Sequence, residues 1–151
     1  MTQLPNLDAD ARERSLANLR LERDAVVLYE RLGEIERDPE RARAFRAIAA
    51  NERRHAEIWA TRLREAGVDV PPAGRPRTRV RFVVGVARIL GTKAVSDLVQ
   101  TMEGNEEALY EAQDGPEVAA IAADEREHAA IWQRLAAGMP GIGRASCRER
   151  V

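Results

Sequence analysis

Apolar side chains recur along this chain at intervals of three and four residues, the spacing of an amphipathic α-helix. The first such stripe is formed by Leu16, Leu19, Val26, Tyr29 and Gly33. Asp8 or Asp10 can cap the helix that carries it, because an Asp side chain accepts hydrogen bonds from the free N–H groups of the first turn. We predict that this first helix ends near Arg37.

A second helix is predicted to begin at Asp38 and Pro39, since proline suits the first helical position. It runs to about Ala66, and its inner stripe consists of Phe45, Ile48, Trp59 and Leu63. The connector "VDVPPAGRPRTR" follows, and its length predicts a crossover between two halves of the domain. We interpret the arginines of "RPRTRVR" as part of a solvated loop.

The second half repeats this organisation after a short extra helix, "VRFVVGVARIL". A break near Gly91 precedes a helix from about Lys93 to Gln113. The residues Asp114-Gly115-Pro116 predict a tight turn, and a last helix runs from Pro116 to about Ala137. The fold class is therefore all-α: a four-helix bundle made of two helical hairpins, with a long crossover and a short extra helix.

The two halves share a local motif. "NERRHAEIW" (51–59) and "DEREHAAIW" (124–132) agree at six of nine positions, and each contains one of the chain's two histidines. Each first helix adds a glutamate seven residues before a tyrosine. Each hairpin therefore carries a Glu and a Tyr, seven residues apart, on its first helix and a Glu-x-x-His motif on its second. The residues concerned are Glu22, Tyr29, Glu52, His55, Glu103, Tyr110, Glu125 and His128.

These glutamates and histidines interrupt the apolar stripes, so they are predicted to face the core. Counting residues from each turn at about 1.5 Å of rise per residue puts all six at one level of the bundle. Four buried carboxylates without compensation are very unfavourable. Two divalent cations would balance them, with the two neutral imidazoles as further ligands. Oxygen and imidazole ligands suit iron or manganese, with zinc as an alternative.

This pattern resembles the ferritin-like di-iron carboxylate superfamily, specifically its rubrerythrin-like domains, over about residues 10–137. The resemblance implies two iron ions as cofactor. It implies that Glu22 and Glu103 are terminal ligands, that Glu52 and Glu125 bridge the metals, and that His55 and His128 serve one metal each. It adds Glu106 as a further ligand, with Glu107 as the weaker candidate. Apart from the resemblance, we predict that Tyr29 and Tyr110 are core residues whose hydroxyls can hydrogen-bond a ligand carboxylate. The cysteine quartet of a rubredoxin module is missing from this sequence.

A narrower resemblance links the chain to rubrerythrin-type domains fused ahead of membrane domains of the vacuolar iron transporter family, which move iron or manganese. The short helix "RVRFVVGVARILG" carries it. We expect a flexible segment over 1–9, the ferritin-like domain over 10–137 and a tail over 138–151. Residues 142–151, "IGRASCRERV", resemble the translation of a sequencing-library adapter, which predicts that the natural reading frame continues into a transporter domain.

The composition of the chain limits the classes of function that we consider. The net charge of −1 gives no case for nucleic-acid binding, the start of the chain lacks the apolar core of a signal peptide, and the single Cys147 favours a reducing, cytoplasmic setting. The expected partners are metal ions, O₂ or H₂O₂, and a second copy in a homodimer. The functions left open are Fe²⁺ oxidation or peroxidase chemistry, metal sensing or loading, an oxygenase activity, and a helical bundle whose acidic core is vestigial.

Overall fold

The structure is a computed structural model, described for residues 7–111, 113 and 115–137. It confirms the all-α bundle. The helices, in chain order, are α1 (Ala9–Ile35), α2 (Pro39–Glu65), α3 (Thr78–Leu90), α4 (Ser96–Glu111) and α5 (Pro116–Ala136). The expected segments 1–9 and 138–151 lie largely or wholly outside the described residues, as does Asp114 of the predicted turn.

The predicted caps set the helix starts. The Asp8 carboxylate accepts a hydrogen bond from the Ala11 amide at 2.7 Å, so Asp8 rather than Asp10 caps α1. Asp38 accepts from the amides of Glu40 and Arg41 at 2.9 and 3.0 Å, directly before Pro39. The helix predicted to begin near Lys93 begins at Ser96 instead. The residues before it, Thr92–Val95, form a 3₁₀ turn that follows Gly91, whose φ is +86°.

Helices α1 and α2 form one antiparallel hairpin and α4 and α5 form the other, while α3 packs against α1. Two apolar clusters fill the bundle. One contains Tyr29, Leu32, Phe45, Ile48, Val99 and Trp132. The other contains Leu19, Trp59, Leu63, Tyr110, Val118 and Ile121. On each of the four long helices a polar segment separates these clusters, and it carries the glutamates and histidines of the repeated motif.

The apolar stripe predicted for α1 does not account for all of its buried positions, because other elements also cover a second face of this helix. Val26 is only half buried, whereas Leu28 is buried. Asp24 is also buried and forms an ion pair with Arg77 of the crossover, with Nε and Oδ2 2.9 Å apart. The added face is buried because α3 and the crossover pack on α1.

A buried ion pair ties the α1–α2 turn to the second hairpin. Arg41 Nε lies 2.9 Å from Glu36 Oε2, and Arg41 Nη1 donates to the Leu135 carbonyl at 2.8 Å. Thr92 also donates to Glu36. Partial burial raises the pKa of Glu36, but the hydrogen bonds from Thr92 and Arg41 outweigh it and lower that pKa to about 2.

Across the part of the chain that the structure describes, each helix is too short or too polar to span a lipid bilayer.

Candidate metal centre

The bundle brings the six predicted ligand side chains together in its interior. Each is at most 4 % exposed. Their ligand atoms form two groups, within each of which all atoms lie within 4.8 Å of one another. The first group is Glu22, Glu52, His55 and Glu125, and the second is Glu103, Glu125 and His128.

Distances from the two histidines separate shared from unshared carboxylates. Glu52 approaches both rings, at 3.5 Å from His55 Nδ1 and 3.0 Å from His128 Nδ1. Glu125 likewise lies 3.6 Å from each of these nitrogens.

The other two carboxylates each approach one ring. Glu22 lies 3.5 Å from His55 Nδ1, and Glu103 lies 3.9 Å from His128 Nδ1. Glu52 and Glu125 are therefore shared between the two histidines, and Glu22 and Glu103 lie at the two ends of the cluster.

The atoms that face one another in this cluster are polar, buried and unpaired. No hydrogen-bond partner among the described residues satisfies Nδ1 of His55 and His128, both carboxylate oxygens of Glu52 and Glu125, or Oε2 of Glu103. Unpaired buried polar atoms are costly, and a divalent cation compensates carboxylate oxygens and imidazole nitrogens together. The donor set thus fits two divalent metal ions.

Hydrogen bonds from tyrosines cross between the hairpins to the end carboxylates. Tyr29 of the first hairpin donates to Glu103 of the second, and Tyr110 of the second donates to Glu22 of the first. The Trp132 indole N–H donates in turn to the Tyr29 oxygen at 2.8 Å. These bonds fix the orientation of both end carboxylates.

The outer nitrogens of the histidines have partners that sequence reasoning missed. His55 Nε2 lies 2.8 Å from Asp124 Oδ2, and His128 Nε2 lies 3.1 Å from Asn51 Nδ2. A signal was present, because Asn51 and Asp124 stand at equivalent positions, immediately before the glutamate of each Glu-x-x-His. Such contacts orient metal-binding imidazoles.

Glu106 lies beside the cluster but outside both ligand groups. It is 8 % exposed, and its Oε1 lies 3.3 Å from Nη2 of Arg79. The side chain of Glu107, the weaker candidate, lies outside the described residues. The arginines of "RPRTRVR" remain partly solvated, but Arg77 and Arg79 also form ion pairs with the buried acidic side chains of Asp24 and Glu106.

Burial and mutual contacts displace the pKa values of the carboxyl groups in opposite directions. Burial raises the pKa of Glu22 to about 8 and raises that of Glu103 well above its ordinary range. Burial also acts on Glu52 and Glu125, but the adjacent histidines outweigh it and lower the pKa of both.

The surrounding carboxylates also shift the pKa values of the two imidazoles. Burial alone lowers a histidine pKa, yet Glu125 and Glu52 raise that of His128 to about 10, and Glu125 and Glu22 raise that of His55 further. In the absence of bound metal, these shifts favour the neutral form of Glu22 and Glu103, the ionised form of Glu52 and Glu125, and the protonated form of both imidazoles.

A cavity of about 970 Å³ lies between α1 and the crossover. Its lining includes Arg20, Asp24, Val27, Pro72 and Arg77, and none of the six ligand side chains. It therefore gives no support to the oxygenase interpretation, which requires an apolar substrate channel at the metals.

Comparison with known proteins agrees with the geometry. The profile of the Rubrerythrin family matches residues 16–136, a span that includes every residue of both ligand groups. No curated protein and no solved structure gave a significant match. With its all-α bundle, a buried Glu/His cluster and this match over most of its length, the chain belongs to the Rubrerythrin family of ferritin-like di-iron carboxylate domains.

Proposed function

We propose that this domain binds two iron ions and oxidises Fe²⁺. The observation that carries the proposal is the convergence of unpaired buried ligand atoms from both hairpins. The glutamates are hard oxygen ligands and the histidines supply one nitrogen per metal, a combination suited to iron and manganese. Two Fe²⁺ ions supply the two electrons that, with two protons, convert H₂O₂ to two water molecules.

The chain's own residues prepare the site for this reaction. Glu52 and Glu125 would each contact both metal ions, because each approaches both histidines. The apolar clusters above and below exclude bulk water, which strengthens electrostatic interactions inside the site. Tyr29 and Tyr110 hold the end carboxylates.

The test is to add Fe²⁺ anaerobically to the purified domain and then supply H₂O₂ or O₂. We expect about two Fe²⁺ per chain and a near-ultraviolet ferric absorbance after the oxidant is added. Glu125→Gln should abolish the absorbance because it removes a shared carboxylate. Glu127→Gln, an exposed glutamate on the same helix, is the matched control and should leave it unchanged.

A second outcome separates redox chemistry from metal sensing. Stable binding of two Fe²⁺ with no oxidation by either oxidant would refute the redox function and favour a sensing or loading role. Absence of any metal-induced thermal stabilisation would favour the vestigial interpretation.

We further propose that the domain handles iron or manganese on the cytosolic side of a membrane transporter fused after it. The short helix α3, positioned ahead of the second hairpin, supports this link to transporter-fused rubrerythrin domains. Sequencing the gene beyond codon 141 tests it. An open reading frame without membrane-spanning segments would refute it.

A further inference from the structure

The two histidines have chemically different partners on the side away from the cluster. His55 faces the carboxylate of Asp124, and His128 faces the amide of Asn51. Both partners reach across from the opposite hairpin, and both stand one residue before a ligand glutamate. The two halves of the site therefore have similar shapes, but only one half has a carboxylate behind its histidine.

Asp124 prepares His55 to bind a metal. An ionised carboxylate only accepts hydrogen bonds, so its contact of 2.8 Å with His55 Nε2 keeps the proton on that nitrogen. The other ring nitrogen, Nδ1, then directs its lone pair at Glu22, Glu52 and Glu125 when the ring is neutral. A carboxylate partner also makes the imidazole a more basic ligand.

Asn51 does not prepare His128 in the same way, because Arg54 determines the orientation of its amide. The Arg54 guanidinium has only donors, and it contacts Oδ1 of Asn51. The amino group of Asn51 is therefore the part that lies 3.1 Å from His128 Nε2. A His128 ring that binds metal through Nδ1 keeps its proton on Nε2, so two donors would face each other. The amide must then turn over and lose its bond to Arg54.

We propose that the two metal positions are unequal and that the position served by His55 binds a divalent cation more tightly than the position served by His128. This inference rests on the proposed dinuclear function and adds an order of filling to it. Loss of such a histidine partner weakens metal binding by about 10- to 100-fold, which sets the expected difference between the two dissociation constants.

Two substitutions remove the asymmetry in opposite ways. Asp124→Asn places an amide behind both histidines, and Asn51→Asp places a carboxylate behind both. The metal-free domain is titrated with Co²⁺ under anaerobic conditions, and the visible d–d absorbance follows each step. We expect two separated steps for the wild type. Asp124→Asn should weaken the tighter step, and Asn51→Asp should strengthen the weaker one.

The assignment of each step uses the histidines themselves. His128→Ala should retain the tighter step, and His55→Ala should eliminate it. Asp97→Asn, at an exposed position on α4, is the matched control for the loss of one carboxylate and should leave both steps unchanged. If Asp124→Asn fails to fold in a thermal melt, Asn51→Asp decides alone, because the inference requires it to strengthen binding.

The outcomes separate the inference from the function on which it depends. Two Co²⁺ ions bound with equal affinity, or steps unaffected by Asn51→Asp, would overturn the inequality and leave the dinuclear site standing. A wild-type domain that binds no Co²⁺, Fe²⁺ or Mn²⁺ would instead overturn the proposed function.

Discussion

Metal binding should release protons from this domain, and the structure predicts how many. In the absence of metal, we expect Glu22 and Glu103 to hold one proton each, because burial raises their pKa values. His55 and His128 each carry one proton more than the neutral ligand form, because adjacent carboxylates raise their pKa values. Two divalent ions must displace these protons to reach the ligand atoms. We therefore expect release of about four protons per two metals near pH 7.

The measurement uses Zn²⁺, which does not change oxidation state and so adds no protons through oxidation. Titration in a weakly buffered solution with a pH indicator counts the protons released. The overall two-metal association constant should rise by about four orders of magnitude per pH unit below about pH 8, the pKa of Glu22, and less steeply above it.

Changing a ligand or its protonation alters the count in a defined way. Glu22→Gln removes one titrating group and should lower the release by about one proton. Release of about five protons would show that Glu106 also binds metal, since burial raises the pKa of that carboxyl group too. Release of one proton or none would refute the assignment of protons to these four side chains.

Three further predictions concern the pH dependence of stability, the ion pair at the α1–α2 turn and the hydroxyl of Tyr110. The melting temperature of the metal-free domain should fall as pH rises from about 5 towards 8. Folded Glu22 has a pKa of about 8 against 4.5 ordinarily, so over this range the unfolded chain loses a proton that the folded domain keeps. Glu22→Gln should lack this part of the pH dependence. Arg41→Ala should cost about 1–3 kcal/mol in urea unfolding, because Glu36 loses its guanidinium partner and the Leu135 carbonyl loses its donor, although Thr92 still donates to Glu36. A loss below about 0.5 kcal/mol would contradict a buried pair. Tyr110→Phe should weaken Zn²⁺ binding about 10-fold, and unchanged calorimetric affinity would show that this hydroxyl does not support the site.

Local signals in the sequence were enough to predict the helices. Asp38 followed by Pro39 marks a helix start through chemistry confined to one turn, and the structure has α2 beginning there. The placement of Glu52 and His55 at the core followed from their position within an apolar stripe. Both inferences depend on spacing along one helix, which a sequence displays directly.

Contacts between helices could not be predicted in the same way. The bond from Tyr29 to Glu103 and the contact between His55 and Asp124 depend on how the two hairpins dock, and periodicity does not specify a docking angle. The contact of Arg79 with Glu106 depends on where α3 packs after a connector without regular structure. For Asn51, the sequence shows a side chain that can form hydrogen bonds and only the fold supplies its partner.

The crossed tyrosine bonds have a consequence for how this domain can be recombined. Each hairpin contains the donor for an end carboxylate of the other, so neither hairpin holds a complete set of ligand and support. Asn51 and Asp124 extend this dependence to the histidines. A chimaera that joins one hairpin to the matching half of another protein can therefore contain all six ligand residues without the groups that orient them. Whether it keeps their orientation depends on the tyrosine and the histidine partner that the incoming half provides.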